Sequence, residues 1–421
     1  MSNRRTIEVC ADWEGLGGPT SMGWLFATAS RGKEVFSFEY DEDWLRSSHR
    51  ANLDPALQLY KGPQYPSSGR LNFGLFLDSC PDRWGRVLMR RREAQIARVE
   101  GRLERRLVES DYLLGVHDGH RMGALRFRMG GAFLDDNDDL ASPPWTSLRD
   151  LENASLQIER EDAATDPDYG QWLRMLIAPG GSLGGARPKA SVTDDRGWLW
   201  IAKFPSRGDS EDVGAWEAVV HALAGRSGVA IPEVQVLRFG SKHHTFLSRR
   251  FDRVRAGDRL HFASAMTLLE RGDGDDGDAG VSYLELADLL IRLGAHPSSD
   301  LEQLWRRIAF SVCVSNTDDH LRNHGFMHTP AGWALAPAYD LNPDPYGEGL
   351  KLNISESDNA QHLDLVREVA PFFRVKASRA NEILAEVVAA VKTWPQVATA
   401  FGLGRIPQGR MRRAFRVADG S

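Results

Sequence analysis

A chain of 421 residues with a net charge of −6, from 52 basic and 58 acidic side chains, exceeds what one hydrophobic core usually serves and calls for two domains or two large lobes. Its 42% hydrophobic and 26% charged residues are those of an ordinary globular protein, which excludes a disordered chain, and its glycines show no triplet period, which excludes collagen. The three scattered cysteines, Cys10, Cys80 and Cys313, exclude a disulfide framework or a cysteine zinc cluster and point to a reducing compartment. The first residues carry no signal-peptide pattern and no window approaches about eighteen uninterrupted apolar residues, so a cytoplasmic chain with no membrane segment is expected. An acidic chain repels phosphate backbones, which argues against direct nucleic-acid binding by this chain alone.

In chain order, Val35 to Tyr40 reads as a short strand and Asp82 to Val108 as a helix dense in arginine, either a solvated face or a surface for phosphate or a partner. Leu134 to Pro144, rich in Asp, Asn, Ser and Pro, reads as a connector. A helical stretch leads into the glycine loop Ala178 to Lys189, followed by strands at Ala190 to Val192 and Trp198 to Phe204. A helix is expected from about Asp212 to Ser227, then a strand pair at Val234 to Phe239 and Thr245 to Phe251. The remainder is mostly helical, with 3.6-residue periodicity at Tyr283 to Leu293, Asp300 to Ser315 and Ala377 to Val391. Between the last two lies a compact stretch whose end, His324 to Ala338, reads as strand, turn, strand. The expected division is 1–145, 146–255 and 256–421, an α+β arrangement with polar motifs at the seam, as in a two-lobed enzyme.

Only eight of the basic residues are lysines, so a lysine in a motif-like setting carries weight. Glycines let backbone N–H groups approach phosphate oxygens, and the loop holds Gly180, Gly181, Gly184 and Gly185. It is no Walker A motif, because Ala186 and Arg187 stand where Lys and Ser/Thr are required. Lys203 falls in period with Leu199 and Ile201 on a face expected to be buried, where an ammonium needs an anion such as Glu217 or a bound phosphate. Asp318 and Asn323 share the D-x-x-x-x-N spacing in which the Asp directs an attacking hydroxyl and the Asn holds Mg²⁺. The expected hairpin returns the chain to present Asp340 as a second oxygen ligand. His320, His324 and His328, four apart, raise a zinc stripe, which Asn323, Gly325 and Pro330 argue against; His320 reads instead as a hydrogen-bonding brace of the loop. The acidic run Asp273 to Asp278 lacks a calcium loop's final Glu and reads as a solvated, mobile loop.

These motifs, with Phe76 to Gly85, Met122 to Leu125, Ser182 to Lys189, Lys203 to Pro205, Arg250 to Arg253, Asn316 to His320 and Tyr339-Asp340, resemble the HipA family of bacterial serine/threonine kinases, the toxin halves of toxin–antitoxin modules. The resemblance implies a two-lobed protein-kinase-like fold with an N-terminal α/β subdomain and a mainly helical C-terminal lobe. It implies ATP and Mg²⁺ as cofactors, with Asp318 as catalytic base, Lys203 on the phosphates and Asn323 and Asp340 on the metal. The loop residues Gly181, Ser182, Gly184, Gly185 and Ala186 would line the phosphates, and Arg249 to Phe251 would lie at the adenine. Ser182 matches the family's self-phosphorylated serine, whose phosphate Arg187 or Lys189 could capture. Arg249 stands where the family often has an acidic residue, and Pro188 replaces the usual glutamate before the loop lysine. A protein substrate, for which the family suggests an aminoacyl-tRNA synthetase, and a small DNA-binding antitoxin are the implied partners. Two rivals remain at this stage: a small-molecule kinase on the same scaffold, and a non-catalytic regulator acting through the arginine-rich helix.

Overall fold

The computed structural model describes residues 4–30, 32–133, 143–177, 185, 187–254 and 258–420. These fall into two compact units, Met1–Gly208 with Asp252–Ala263, and Asp209–Phe251 with Ser264–Ser421.

The first unit opens on an antiparallel sheet of β1 (Arg4–Ala11), β2 (Thr20–Ser30), β3 (Lys33–Tyr40), β4 (Leu125–Met129) and β5 (Ala132–Phe133), in the order β3-β2-β1-β4-β5. Alternation puts Ile7, Val9, Leu25, Ala27, Phe36, Phe38 and Phe127 on the buried face, because successive side chains of a strand point to opposite sides. Phe76 closes that face, with ring centroids 5.6 Å from Phe38 and 6.1 Å from Phe127. Helix α1 (Arg83–Glu100) starts where the Asp82 carboxylate caps the Gly85 N–H at 2.7 Å and stops at Gly101, whose φ of 64° lies in the left-handed region. A glycine there ends a helix, so α1 is shorter than its arginine pattern suggests.

Several of those arginines are joints. Arg86 grips Glu109 through two bonds of 2.8 and 2.7 Å, and Arg91 donates to the Ile158 carbonyl at 2.6 Å. Arg98 donates to the Ala164 carbonyl at 2.6 Å. The last two tie α1 to the region of α2 (Leu148–Ile158) and α3 (Tyr169–Ile177). Most of the expected connector lies outside the described residues.

The hairpin of β6 (Lys189–Thr193) and β7 (Leu199–Lys203) follows. On β7 it is Trp200 and Ala202 that are buried, while Leu199, Ile201 and Lys203 are half-exposed. The expected burial of the Lys203 face is thus corrected: Trp200 takes the inward side because its large ring gains most from leaving water. The returning segment at 252–263 explains another motif. Asp252 Oδ2 accepts the Gly123 N–H at 2.8 Å, and Arg253 donates to the carbonyls of Gly123 at 3.1 Å and Arg121 at 2.8 Å. Asp252-Arg253 therefore clamps the Arg121 to Gly123 turn, two stretches far apart in sequence.

The second unit contains α4 (Val213–Arg226), the hairpin of β8 (Val234–Leu237) and β9 (Thr245–Arg249), then α5 (Tyr283–Leu293), α6 (Pro297–Val314), the hairpin of β10 (Gly325–Thr329) and β11 (Gly332–Leu335), and α7 (Ala377–Val391). Helix α7 buries Ala380, Ile383, Leu384, Val387 and Val391, a 3.6-period stripe packed on α6. Each of its larger side chains contributes about 1.5–3 kcal/mol by leaving water. No described helix is long and apolar enough to cross a membrane.

Candidate active site

The site of the second unit grows from the end of α6. That helix stops at Ser315, which has φ 50°, a conformation an L-residue adopts only when its surroundings hold it. Ser315 Oγ donates to Gln361 Oε1 at 3.0 Å and accepts from Arg416 at 3.1 Å. The next residues are fastened to the chain beyond Asp340: the Asn342 N–H donates to Asn316 Oδ1 at 3.0 Å, and Thr317 Oγ1 donates to Asp344 Oδ2 at 2.9 Å. Gly347 packs so closely on Thr317 that any Cβ there would collide with its hydroxyl.

On this frame Asp318 is exposed, and among the described residues no hydrogen bond or ion pair engages its carboxylate. Its backbone carbonyl is held twice, by the His320 N–H at 2.9 Å and by Asn323 Nδ2 at 3.1 Å. The D-x-x-x-x-N spacing thus closes into a loop in which the asparagine amide nitrogen fixes the aspartate and leaves Asn323 Oδ1 for another use. Asp340 has φ 57°, and its Oδ1 accepts from Asn342 Nδ2 at 3.2 Å. Asn342 Oδ1 is buried with no hydrogen-bond partner, so one polar atom beside Asp340 is still unsatisfied.

These donors suit a hard cation. Asn323 Oδ1 and the Asp340 carboxylate are oxygens, and Mg²⁺ takes one or two protein oxygens and completes its shell with phosphates and water. Among the described residues no cluster of three or more His, Cys, Asp or Glu could hold a metal unaided. Of the zinc stripe, His320 precedes a short 3-10 turn at Leu321–Asn323, His324 follows it and His328 lies on β10, so the three share no helix face. His320 Nδ1 is buried with no hydrogen-bond partner; its backbone groups make the bonds within the loop.

Sequence reasoning missed the residue beneath. Asp319 is buried, its Oδ2 accepting from the Tyr283 hydroxyl at 2.6 Å and its Oδ1 lying 3.1 Å from His324 Nε2. Burial works against its charge, yet the His324 imidazole and the Tyr283 hydrogen bond hold the carboxyl below the usual carboxylate range. Tyr283, buried beside that carboxylate, is pushed well above the ordinary phenol value. Arg307, also buried, donates to the Ala336 carbonyl at 2.5 Å, and burial pushes its guanidinium down to about 10. The doubled Asp318-Asp319 was the available signal; Tyr283, thirty-six residues away, gave none.

The acidic run is also not the free loop its composition suggests. Asp276 pairs with Lys351 at 2.9 Å, Asp273 lies 3.1 Å from Arg322 Nε, and the Gly277 N–H donates to the Lys351 carbonyl at 2.8 Å. The hydrogen bond that Lys351 donates to Asp276 chiefly raises the Lys351 pKa, with the charges of Asp276, Asp318 and Asp278 adding to it against burial. Basic residues absent from the local window supply the counter-charges that a composition argument cannot see.

The Phe251 ring lies tilted against Tyr339 with centroids 5.5 Å apart, and the Tyr339 hydroxyl donates to the Arg322 carbonyl at 2.6 Å. Arg249 meets Glu233 at 2.7 Å on the surface. In the first unit Lys203 ends β7 directly opposite Lys189. Lys189 is fully engaged: its ammonium lies 3.0 Å from Asp82, with both side chains 2% exposed. That corrects its expected role as a free phosphate catcher, because an ion pair sealed from water does not open cheaply. Gly181, Ser182, Gly184 and Ala186 lie outside the described residues.

The model of the HipA-like C-terminal domain matches residues 181–394, more than half of the chain, and the chain belongs to that family. It is 31% identical over 240 residues to "Putative kinase Y4dM" of Sinorhizobium fredii, covering 49% of this chain and 56% of that protein. A second S. fredii protein, "Putative kinase Y4mE", is 30% identical over 149 residues, covering 34% and 33%. A Haemophilus influenzae "Putative kinase" is 29% identical over 132 residues, covering 29% and 38%. The chain thus spans between a third and somewhat over half of the curated relatives it matches. In three dimensions it aligns with a chain of the Shewanella oneidensis complex of HipA, HipB and operator DNA at a TM-score of 0.68 and 17% identity, over 98% of this chain and 97% of that one. The fold is HipA-like, mixed α and β, with the mainly helical C-terminal part expected from the sequence.

Proposed function

We propose that this protein is an ATP-dependent serine/threonine protein kinase of the HipA type. The observation that carries the reading is the loop closed by Asn323 on the Asp318 carbonyl, which presents an exposed Asp318 carboxylate while the Asn323 amide nitrogen, not its oxygen, makes the closing bond. Asp318 accepts the proton of the acceptor hydroxyl as its oxygen bonds to the γ-phosphorus. The bond from that phosphorus to the β–γ bridging oxygen breaks, and ADP leaves with the electron pair. Lys203 and the amides of the glycine loop around Gly181, Ser182, Gly184, Gly185 and Ala186 hold the phosphates. Arg249 to Phe251 border the adenine. Asn323 and Asp340 would hold Mg²⁺, which when bound offsets charge on the β- and γ-phosphates. His320 stays with the loop as a support through its backbone.

Ser182 is the proposed site of self-phosphorylation, since about −1.5 to −2 added charges would set its segment against ATP's phosphates. Arg187 is the residue proposed to receive that phosphate, and Lys189 stays on Asp82. The S. oneidensis complex pairs HipA with HipB on operator DNA, which supports a small DNA-binding antitoxin as partner here. An aminoacyl-tRNA synthetase is the substrate class the family suggests. Phosphoproteomics after induced expression, native chain against Asp318→Asn, tests activity and target together. Phosphosites on Ser182 and on a protein partner in the native sample alone are expected; identical phosphoproteomes overturn the reading.

A further inference from the structure

Lys189 and Lys203 stand directly opposite each other across the antiparallel pair of β6 and β7, an arrangement in which like charges repel on one face of a sheet. The structure answers this repulsion from outside the hairpin. Asp82, the residue that caps α1 through the Gly85 N–H, also takes the Lys189 ammonium at 3.0 Å, and both side chains are sealed from water. The same first turn reaches the other end of the segment, because the Trp84 N–H donates to the Gly185 carbonyl at 3.4 Å. Gly185 has φ 81°, and a Cβ there would stand 3.0 Å from the Lys189 ammonium, so the backbone is shaped to let that charge pass to Asp82.

A helix cap is satisfied by a neutral side chain, and asparagine serves as well as aspartate. A buried carboxylate costs too much to be kept for capping alone. Its charge therefore has a use, and the neighbour that needs it is Lys189. We propose that Asp82 is a positioning residue of the nucleotide site: it holds the Lys189 ammonium against the first turn of α1, so that of the two opposed lysines only Lys203 meets the phosphates. The inference rests on the reading of Lys203 as a phosphate contact. Without Asp82, a buried ammonium is left to seek the nearest anion, and the hairpin that carries Lys203 shifts with it.

The test compares Mg²⁺·ATP binding by calorimetry and turnover at saturating ATP for the full-length native protein, Asp82→Asn and Asp82→Asn with Lys189→Met. Asparagine preserves the cap, and methionine keeps the volume of the lysine stem without its charge. The single variant should bind ATP about tenfold more weakly with turnover within about threefold of native, the split that a displaced supporting group produces. The double variant should recover most of the affinity. Native-like binding by Asp82→Asn overturns the inference, and so does a folded double variant as weak as the single one, since that marks general damage. If Asp82→Asn does not fold, the double variant decides alone: near-native affinity supports the role and weak binding overturns it. A native protein that binds no ATP overturns the kinase reading itself and takes this inference with it, a result distinct from tight native binding that Asp82→Asn leaves unchanged.

Discussion

The loop at 315–324 and the hairpin of β6 and β7 place charged groups by opposite means. In the loop the exposed Asp318 is aimed through its backbone, by bonds from His320 and Asn323 to its carbonyl, while the adjacent carboxylate of Asp319 is sunk onto Tyr283 and His324. In the hairpin the frame is itself an ion pair, Asp82 with Lys189, set opposite the half-exposed Lys203. Both regions carry two like charges side by side, one open to solvent and one buried. The loop separates its pair along the chain, where alternating residues face opposite ways. The hairpin has to separate its pair across strands, and needs a third residue from a distant helix to do so.

The largest expected effect breaks the first half of that comparison. Asp318→Asn keeps the side chain's shape and removes the proposed base, so single-turnover phosphoryl transfer should fall by about 10²–10⁴ while calorimetric Mg²⁺·ATP affinity stays close to native. Transfer at the native rate would remove Asp318 from the proposed chemistry.

Asp319→Ala attacks the buried half. It strips a sealed carboxylate from Tyr283 and His324, a change that costs about 3–5 kcal/mol of stability, read by urea unfolding at neutral pH. The sign of the pH dependence follows from the depressed pKa. Stability from Asp319 is present above the unfolded carboxylate value of about 3.9 and is lost as pH falls through the lower folded value, so the alanine variant should show a flatter acid limb. An unchanged limb would mean that the carboxylate is not charged in the folded protein.

How much of this was legible in the sequence depended on whether a partner was close along the chain. The spacing of Asp318 and Asn323, the hairpin before Asp340, and helices α5 to α7 are local patterns, and they appear within a few residues of where periodicity puts them. Tyr283 under Asp319, Asp82 on Lys189 and Lys351 on Asp276 are pairings between residues tens to a hundred positions apart, which composition and period do not encode. The Lys203 face was misjudged because alternation gives two faces and does not say which is inward; Trp200 on the other face was the clue.

A third experiment sharpens the loop's half by separating metal from nucleotide. Asp340→Ala removes a proposed Mg²⁺ ligand, so nucleotide affinity should drop by about tenfold in Mg²⁺ and barely change in EDTA. Equal losses in both conditions would make Asp340 a backbone support only, consistent with its left-handed φ and its bond to Asn342.

The smallest effect is expected at the arginine-rich helix, the surface on which a non-catalytic rival would depend. Arg90 and Arg92 are exposed, whereas Arg91 reaches the Ile158 carbonyl at 2.6 Å, so the three are not equivalent in spite of their adjacency. Charge reversal at Arg90 and Arg92 together should leave stability within about 0.5 kcal/mol and phosphoryl transfer unchanged. Arg91→Ala should cost about 1.5–3 kcal/mol, the range for a hydrogen bond from a charged group, because it frees a carbonyl at the end of α2 and loosens α1 from the helix it braces. A regulator working through this face predicts the reverse order: the exposed pair would abolish partner or DNA binding and Arg91→Ala would matter little. Thermal unfolding and a kinase assay on the two variants therefore decide whether α1 is an interaction surface or part of the scaffold that presents Asp82.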